Sequence, residues 1–158
     1  MIVYRCALKK WAKDITGKGA FLHGGRWNSP GVYMLYTAEN NVLAAFEVAM
    51  HIPLGLISKN YVMIPIEIKS EIKVAERTLP KNWHLKEDIT KNLGDGFVKN
   101  GGSLLMKVPS ALISDSYNYL INPQHKDIEL VKALEPRPIL FDKRLMEMIR
   151  LQSPGEKK

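Results

Sequence analysis

The sequence predicts a single α+β domain: a bent or split β-sheet core with a few helices. Three observations lead there. The chain has 158 residues, enough for one good hydrophobic core but not two. Short runs rich in β-branched and aromatic residues recur along it, bounded by Gly, Pro, Asn and Asp. Few stretches carry helical periodicity, and strands outnumber helices in the reading.

Residues 2–8 alternate weakly and read as the first strand. Residues 14–31 hold Gly17, Gly19, Gly24, Gly25, Pro30 and Gly31, a density that predicts loop and turn with backbone open to close approach. Residues 32–36, Val-Tyr-Met-Leu-Tyr, suit a short buried strand. The spacing then predicts a helix over 38–51. Val42, Leu43, Phe46, Ala49 and Met50 form its apolar stripe, Thr37 is its N-cap and Glu39 sits in its first turn. Pro53 and Gly55 end it.

Residues 61–69 alternate cleanly, with Val62, Ile64, Ile66 and Ile68 toward a core and Glu67 and Lys69 outward. Pro65 marks that strand as an edge or a bulge. A helix over 85–100 ends at Gly101-Gly102. Strands at 103–108 and 118–121 flank a loop that begins at Pro109-Ser110. Residues 127–134 and 138–141 read as the last strands, and 145–151 as a short helix. The domain covers 1–150, and 151–158 form a frayed tail.

Composition narrows the class. Hydrophobic residues are 46% and charged residues 25%, as in ordinary globular domains. No run of about 18 apolar residues is present, so no membrane span is expected. Met1 to Arg5 reads as strand rather than signal peptide. The lone Cys6 has no disulfide partner, and His23, His51, His84 and His125 are too scattered to join it around zinc. A reducing cytoplasm and no metal are the expectations. The net charge of +7 favours acidic partners such as nucleic acid, nucleotide phosphate or an acidic protein. It is spread along the chain, without the basic helix or basic–aromatic array of many nucleic-acid domains.

The chemistry-bearing candidates begin at Gly24-Gly25-Arg26-Trp27-Asn28. This is neither a phosphate loop of the Gly-Lys-Ser/Thr type nor a dinucleotide Gly-x-Gly-x-x-Gly turn. It sets the Arg26 guanidinium on close-approach backbone, suited to bidentate capture of phosphate or carboxylate; the alternative is an arginine that braces a loop through carbonyls. Glu47 lies beside Phe46 at the edge of the apolar stripe, one turn from Leu43 and from His51. It is either an exposed carboxylate paired with His51 or a lysine, or a partly buried one with a task. Ser110 after Pro109 reads as a turn former or a helix N-cap; no Gly-x-Ser-x-Gly elbow surrounds it, which argues against a hydrolase nucleophile. Tyr36 is core or a stacking platform, and His125 is equally open.

Singly these signals are weak, but in order they match one pattern. Tyr4-Arg5, Gly25-Arg26-Trp27-Asn28, Tyr36-Thr37-Ala38-Glu39, Leu43-Ala44-Ala45-Phe46-Glu47 and His51 come first. Val108-Pro109-Ser110, Asn118-Tyr119-Leu120-Ile121-Asn122-Pro123, His125 and Phe141-Asp142-Lys143-Arg144-Leu145 come after them. Together they resemble the RES domain over roughly residues 4 to 145. Lys143, where relatives often have proline, and Phe46, where they more often have leucine, depart from it.

The resemblance implies an ADP-ribosyltransferase-like fold and a toxin that attacks NAD. Arg26, Glu47 and Ser110 take the places of the family's Arg, Glu and Ser, and Tyr36 that of an active-site tyrosine. It adds Arg5, Arg26, Tyr36 and Asn122 as substrate-binding residues. NAD is then substrate rather than cofactor, with phosphate a candidate co-substrate. The implied partner is an Xre-type helix-turn-helix antitoxin, with DNA reached only through it, and a homodimer is the default assembly. Two rivals stand beside this: transfer of ADP-ribose to a specific protein, and an RNA-directed toxin or binding module. The 8% aromatic content and the absence of an RNA motif weigh against the latter.

Overall fold

The computed structural model describes residues 1–69, 72–145 and 147. Its strands are β1 (Ile2–Leu8), β2 (Leu35–Ala38), β3 (Tyr61–Ile68), β4 (Val74–Glu76), β5 (Leu105–Pro109), β6 (Tyr117–Ile121), β7 (Val131–Ala133) and β8 (Arg137–Pro138). The α-helices are α1 (Lys18–His23), α2 (Asn41–Ala49), α3 (Leu54–Asn60) and α4 (Glu87–Asn100). The strands form one sheet in the order β4-β5-β6-β2-β1-β3-β7, with β8 also on β3. The α+β class and the bent or split sheet are both present.

The split lies between β1 and β2. These strands share the single pair Tyr4↔Ala38, whereas β1 pairs with β3 along its whole length and β2 with β6 over four residues. The bend arises from the core. Val3, Leu35, Ile64, Ile66, Leu105, Ile121 and Val131 make one buried cluster from six strands and no α-helix. A flat sheet would leave that face in water, so the sheet closes over itself. On the other face, α2 and α3 cover the β1–β3 half through Leu43, Ala44, Ala45, Ile57 and Met63. Trp27, Met34, Phe97, Met106, Val108 and Leu120 fill the β2–β5–β6 half under α4.

Several expectations shift. Within the turn-rich stretch 14–31 the chain makes α1, a short helix held by its own Phe21→Gly17 and Gly24→Ala20 backbone bonds. β2 runs 35–38 rather than 32–36, so Thr37 is not an N-cap: it is buried in the strand, its hydroxyl donating to Tyr119 O at 2.6 Å. Asn40 caps α2 instead, accepting from the Leu43 N–H at 2.8 Å. Glu39 precedes the helix and accepts the Tyr117 N–H. α2 does end before Pro53, but the chain turns helical again at once. Pro53 is the N-cap of α3, and Gly55 lies inside that helix. A proline suits a helix start, where N–H groups lack partners.

Pro65 is not at an edge, but it does lie at a bulge: between Met63↔Arg137 and Ile66↔Ala133, Ile64 and Pro65 face the three residues 134–136 of the β7–β8 segment. β3 is paired on both sides, and its only gap on the outer side falls between β7 and β8, where Leu134 N–H bonds Pro65 O. A strand residue points its N–H and C=O the same way, so the missing proline donor falls in that gap. Residues 127–134 form a 3-10 turn and the short β7, and the 138–141 strand is β8 at 137–138. β4, parallel to β5, had no signal of its own. Most of the expected 145–151 helix and the 151–158 tail lie outside the described residues.

The orientation of α2 differs from its apolar pattern. Val42, Phe46 and Met50, one turn apart, are exposed, whereas Leu43, Ala44 and Ala45 are buried. Alanines let the helix lie close to the sheet, and the half-buried Glu47, Val48 and Ala49 flank the buried Leu43, Ala44 and Ala45. Glu47 lies half-buried beside Leu43 and Ala44, on the side of the helix that faces the cleft.

Candidate active site

Where β1 and β2 part, a cleft of about 880 Å³ opens. Arg5 and Cys6 line it from β1, Tyr36 from β2 and Glu47 from α2, with Arg26 and Asn118 among the rest of its wall. Its size is within the range of small-molecule sites, about 300–1,000 Å³.

Glu47 Oε1 accepts two side-chain hydrogen bonds, from Asn118 Nδ2 at 2.6 Å and from the Ser110 hydroxyl at 3.2 Å. These donors come from β6 and from the β5–β6 loop, 71 and 63 positions from Glu47, so two regions remote in sequence meet on one carboxylate. Ser110 is buried, and its Oγ also accepts the Leu112 N–H at 3.0 Å, closing a small turn that fixes the hydroxyl. The pairing with His51 or a lysine that the sequence left open is replaced by these neutral donors.

Arg26 stands at another part of the wall. Its guanidinium donates to His84 O at 2.8 Å and lies 3.8 Å from Glu87, which in turn lies 3.3 Å from Lys91. Arg26, Glu87 and Lys91 all face the cleft. The loop bearing Arg26 is clamped to α4: Thr90 Oγ1 donates to Arg26 O at 2.6 Å, and Ser29 N–H donates to Asp95 at 2.9 Å. Gly94 permits this approach, since a Cβ there would lie 1.7 Å from Trp27 O. Trp27 itself is core, 5.6 Å from Trp83 between ring centroids.

The Tyr36 hydroxyl is engaged inside the same loop. It donates to Asn28 Oδ1 at 2.8 Å and accepts the Trp27 N–H at 2.9 Å. Burial raises its pKa well above the ordinary tyrosine value, so the phenol stays neutral. Its ring still lines the cleft. Asn28, fully buried, donates to the Ala20, Ser29 and Val32 carbonyls. Arg5 lines the cleft and donates to the Asp14 carbonyl; burial lowers its pKa, opposed by the nearby Asp14 carboxylate.

Asn122 lies elsewhere. It comes just after β6, about 13 Å along the strand from Asn118 at 3.3 Å per residue. It is buried, donates to Val98 O at 3.3 Å and accepts the Gln124 N–H at 2.9 Å. It is not part of the cleft wall and ties the β6 exit to α4. His125 is likewise buried outside the cleft, its Nδ1 accepting the Asp127 N–H at 3.2 Å. Asn118, in contrast, is a site residue that sequence reasoning passed over. It was visible only as the first letter of Asn-Tyr-Leu-Ile-Asn-Pro, with nothing local to link it to Glu47.

The arrangement is an oriented carboxylate in a half-open cleft with guanidinium groups on its walls, suited to an anionic ligand bearing a centre of developing positive charge. The chain is 31% identical over 142 residues to the "Prs ADP-ribosylating toxin" of Sphingobium sp. (strain YBL2), covering 85% of this chain and 88% of that protein. It is 32% identical over 151 residues to a "Toxin Res" of Yersinia enterocolitica, covering 92% and 99%. In structure it resembles a chain of the crystallised Mycobacterium tuberculosis MbcT–MbcA toxin–antitoxin complex. The TM-score is 0.69 at 18% identity, over 96% of this chain and 89% of that one, a likeness of fold. The RES domain model matches residues 2–142, which include every segment that meets at the cleft, and the chain is a member of the RES-domain family.

Proposed function

We propose that this chain is the toxin of a toxin–antitoxin pair and that its cleft breaks the bond between nicotinamide and ribose in NAD. The observation that carries the reading is Glu47, a carboxylate turned into the cleft and held by Asn118 and Ser110. Breaking that bond leaves its electron pair on nicotinamide, which departs neutral and needs no strong general acid. Positive charge grows at the ribose carbon, and a fixed carboxylate beside it lowers the barrier. Arg26 and Arg5 hold the diphosphate and so fix the geometry. The Tyr36 ring offers a flat surface to nicotinamide, and its hydroxyl, engaged with Asn28 and Trp27, keeps the Arg26 loop in place. Ser110 orients Glu47 and is not a nucleophile.

Water as acceptor gives ADP-ribose, and inorganic phosphate gives the 1-phosphate of ADP-ribose; both consume NAD in the cytoplasm. A second reading, transfer of ADP-ribose to a protein side chain, is favoured by the name of the Sphingobium relative. For the partner we favour an antitoxin of the Xre helix-turn-helix kind. It would cover the cleft and the exposed ridge of Val42, Phe46 and Met50 beside it, and would meet DNA itself. A homodimer is compatible with this arrangement.

The test is nicotinamide release from NAD by purified, antitoxin-free protein, with and without phosphate. The expected result is release by the wild type and a loss of about 100- to 1,000-fold in a folded Glu47→Gln variant. Dependence on phosphate separates phosphorolysis from hydrolysis. Absence of release from folded protein alone, with nicotinamide released and ADP-ribose label appearing on a protein only when cell extract is added, would replace the first reading with the second.

A further inference from the structure

Asn118 lies within β6 between β2 and β5, opposite Ala38 on one side and Val108 on the other. The two ends of its carboxamide are treated unequally. Nδ2 makes the 2.6 Å bond to Glu47, while Oδ1 is sealed from solvent and has no partner, alone in this among the buried side-chain N and O atoms of the described residues. The orientation is set by charge: turned over, the amide would press its oxygen against a carboxylate. A buried acceptor without a donor costs stability, and a leucine of similar size would remove that cost.

The two donors to Glu47 also share one target. Asn118 and Ser110 both bond Oε1, and no hydrogen bond reaches Oε2 among the described residues. Oε2 is then the oxygen open to a ligand. Of the two donors Asn118 is the closer, and Ser110 divides its hydroxyl between Glu47 and the Leu112 N–H. Without Asn118 the carboxylate keeps one longer bond and is free to turn about its terminal torsion.

We propose that Asn118 is a positioning residue: it pins Oε1 of Glu47 so that Oε2 faces the ligand, and the fold tolerates an unpartnered buried carbonyl to keep it there. Only the kinetic part of this inference rests on the NAD-cleaving reading. A local device of this kind, stability given up at a working site, is what a binding or catalytic cleft commonly shows.

The experiment compares wild type, Asn118→Leu, Glu47→Gln and the double variant. Asn118→Leu is expected to melt at or above the wild-type temperature and to lose about 100-fold in kcat for nicotinamide release, with KM within about twofold. In the Glu47→Gln background the same change is expected to add little, because one unit has already been broken. Full kcat in Asn118→Leu, or losses that multiply in the double variant, would overturn the proposal. A second measurement needs no turnover and no leucine variant. The side-chain amide resonances of Asn118, in nitrogen-15-labelled wild type, are expected to move on Glu47→Gln, and an unmoved signal would refute the contact. If wild type releases no nicotinamide, the functional reading fails while the resonance comparison still decides whether Asn118 holds Glu47.

Discussion

The Tyr36 hydroxyl and the Asn28 carboxamide are joined by a 2.8 Å hydrogen bond in which tyrosine donates, and the same oxygen accepts the Trp27 N–H. A strand of the sheet thus holds the loop that carries Arg26. Gly25 makes room for it, since a Cβ there would lie 2.6 Å from the Tyr36 oxygen. Tyr36→Phe strips a donor and an acceptor from that loop and is expected to lower stability by about 1–3 kcal/mol. KM for NAD should rise with it, because Arg26 loses its fixed place. Thermal unfolding and steady-state kinetics check both. A variant with unchanged melting temperature and unchanged KM would show that the hydroxyl does not brace the loop.

Glu87 competes with any anion for Arg26. It lies 3.8 Å from Arg26 and 3.3 Å from Lys91, on the cleft wall. These groups are substantially exposed, so the pair is weak and salt-screened. Glu87→Gln is expected to lower KM for NAD, or the Kd of ADP-ribose, by about two- to fivefold at low salt, with less effect at high salt. Arg26→Ala should act in the opposite direction, by about tenfold or more. Titration calorimetry with ADP-ribose at two salt concentrations measures the difference.

Gly94 is the contact through which α4 meets the Arg26 loop. Gly94→Ala would force its methyl group against Trp27 O and is expected to cost at least about 1–3 kcal/mol. The neighbouring Gly96, which has nothing near a built Cβ, is the control: Gly96→Ala should be neutral or slightly stabilising. Chemical denaturation of both variants makes the comparison.

Cys6 borders the cleft, and burial pushes its thiol up to about 11 from an ordinary 9.0, with the Arg5 guanidinium partly opposing the shift. A folded-state pKa above the unfolded one means that this group's contribution to stability is complete below pH 9. It is lost as pH rises toward 11. The stability difference between wild type and Cys6→Ala should therefore change across that window and stay flat from pH 6 to 8. The thiol should also react slowly with disulfide reagents at pH 7.5. Melting temperatures across that range, together with a thiol-exchange rate, test the direction.

The strands were legible because their signal is local. β1, β3, β5 and β6 carry β-branched and aromatic residues with alternation, and α4 has an apolar face ending at Gly101, where φ is +58°. α1, α3 and β4 were not, for separate reasons. α1 is six residues long and flanked by Gly17 and Gly24, α3 opens with Pro53-Leu54-Gly55 and reads as a break, and β4 has three residues that among the described residues pair only with β5. In α2 the pattern gave the helix but the wrong face. Periodicity fixes which residues share a side and not which side is buried when alanines compete with larger residues left outside.

For the site, the sequence by itself determined the set of residue types: an arginine on a glycine-rich loop, a carboxylate in an apolar helix, a serine after proline, and the order in which they come. It could not determine that Glu47 meets Asn118, 71 positions away, that Asn122 stands apart from the cleft, or that Tyr36 spends its hydroxyl on the loop. Residue type and local periodicity are properties of neighbouring positions. A hydrogen bond between a helix and a strand depends on register, on the single Tyr4↔Ala38 pair that holds the split sheet together, and on the rotation of α2 about its axis. Those are set by the packing of the whole core, and only the tertiary structure decides them.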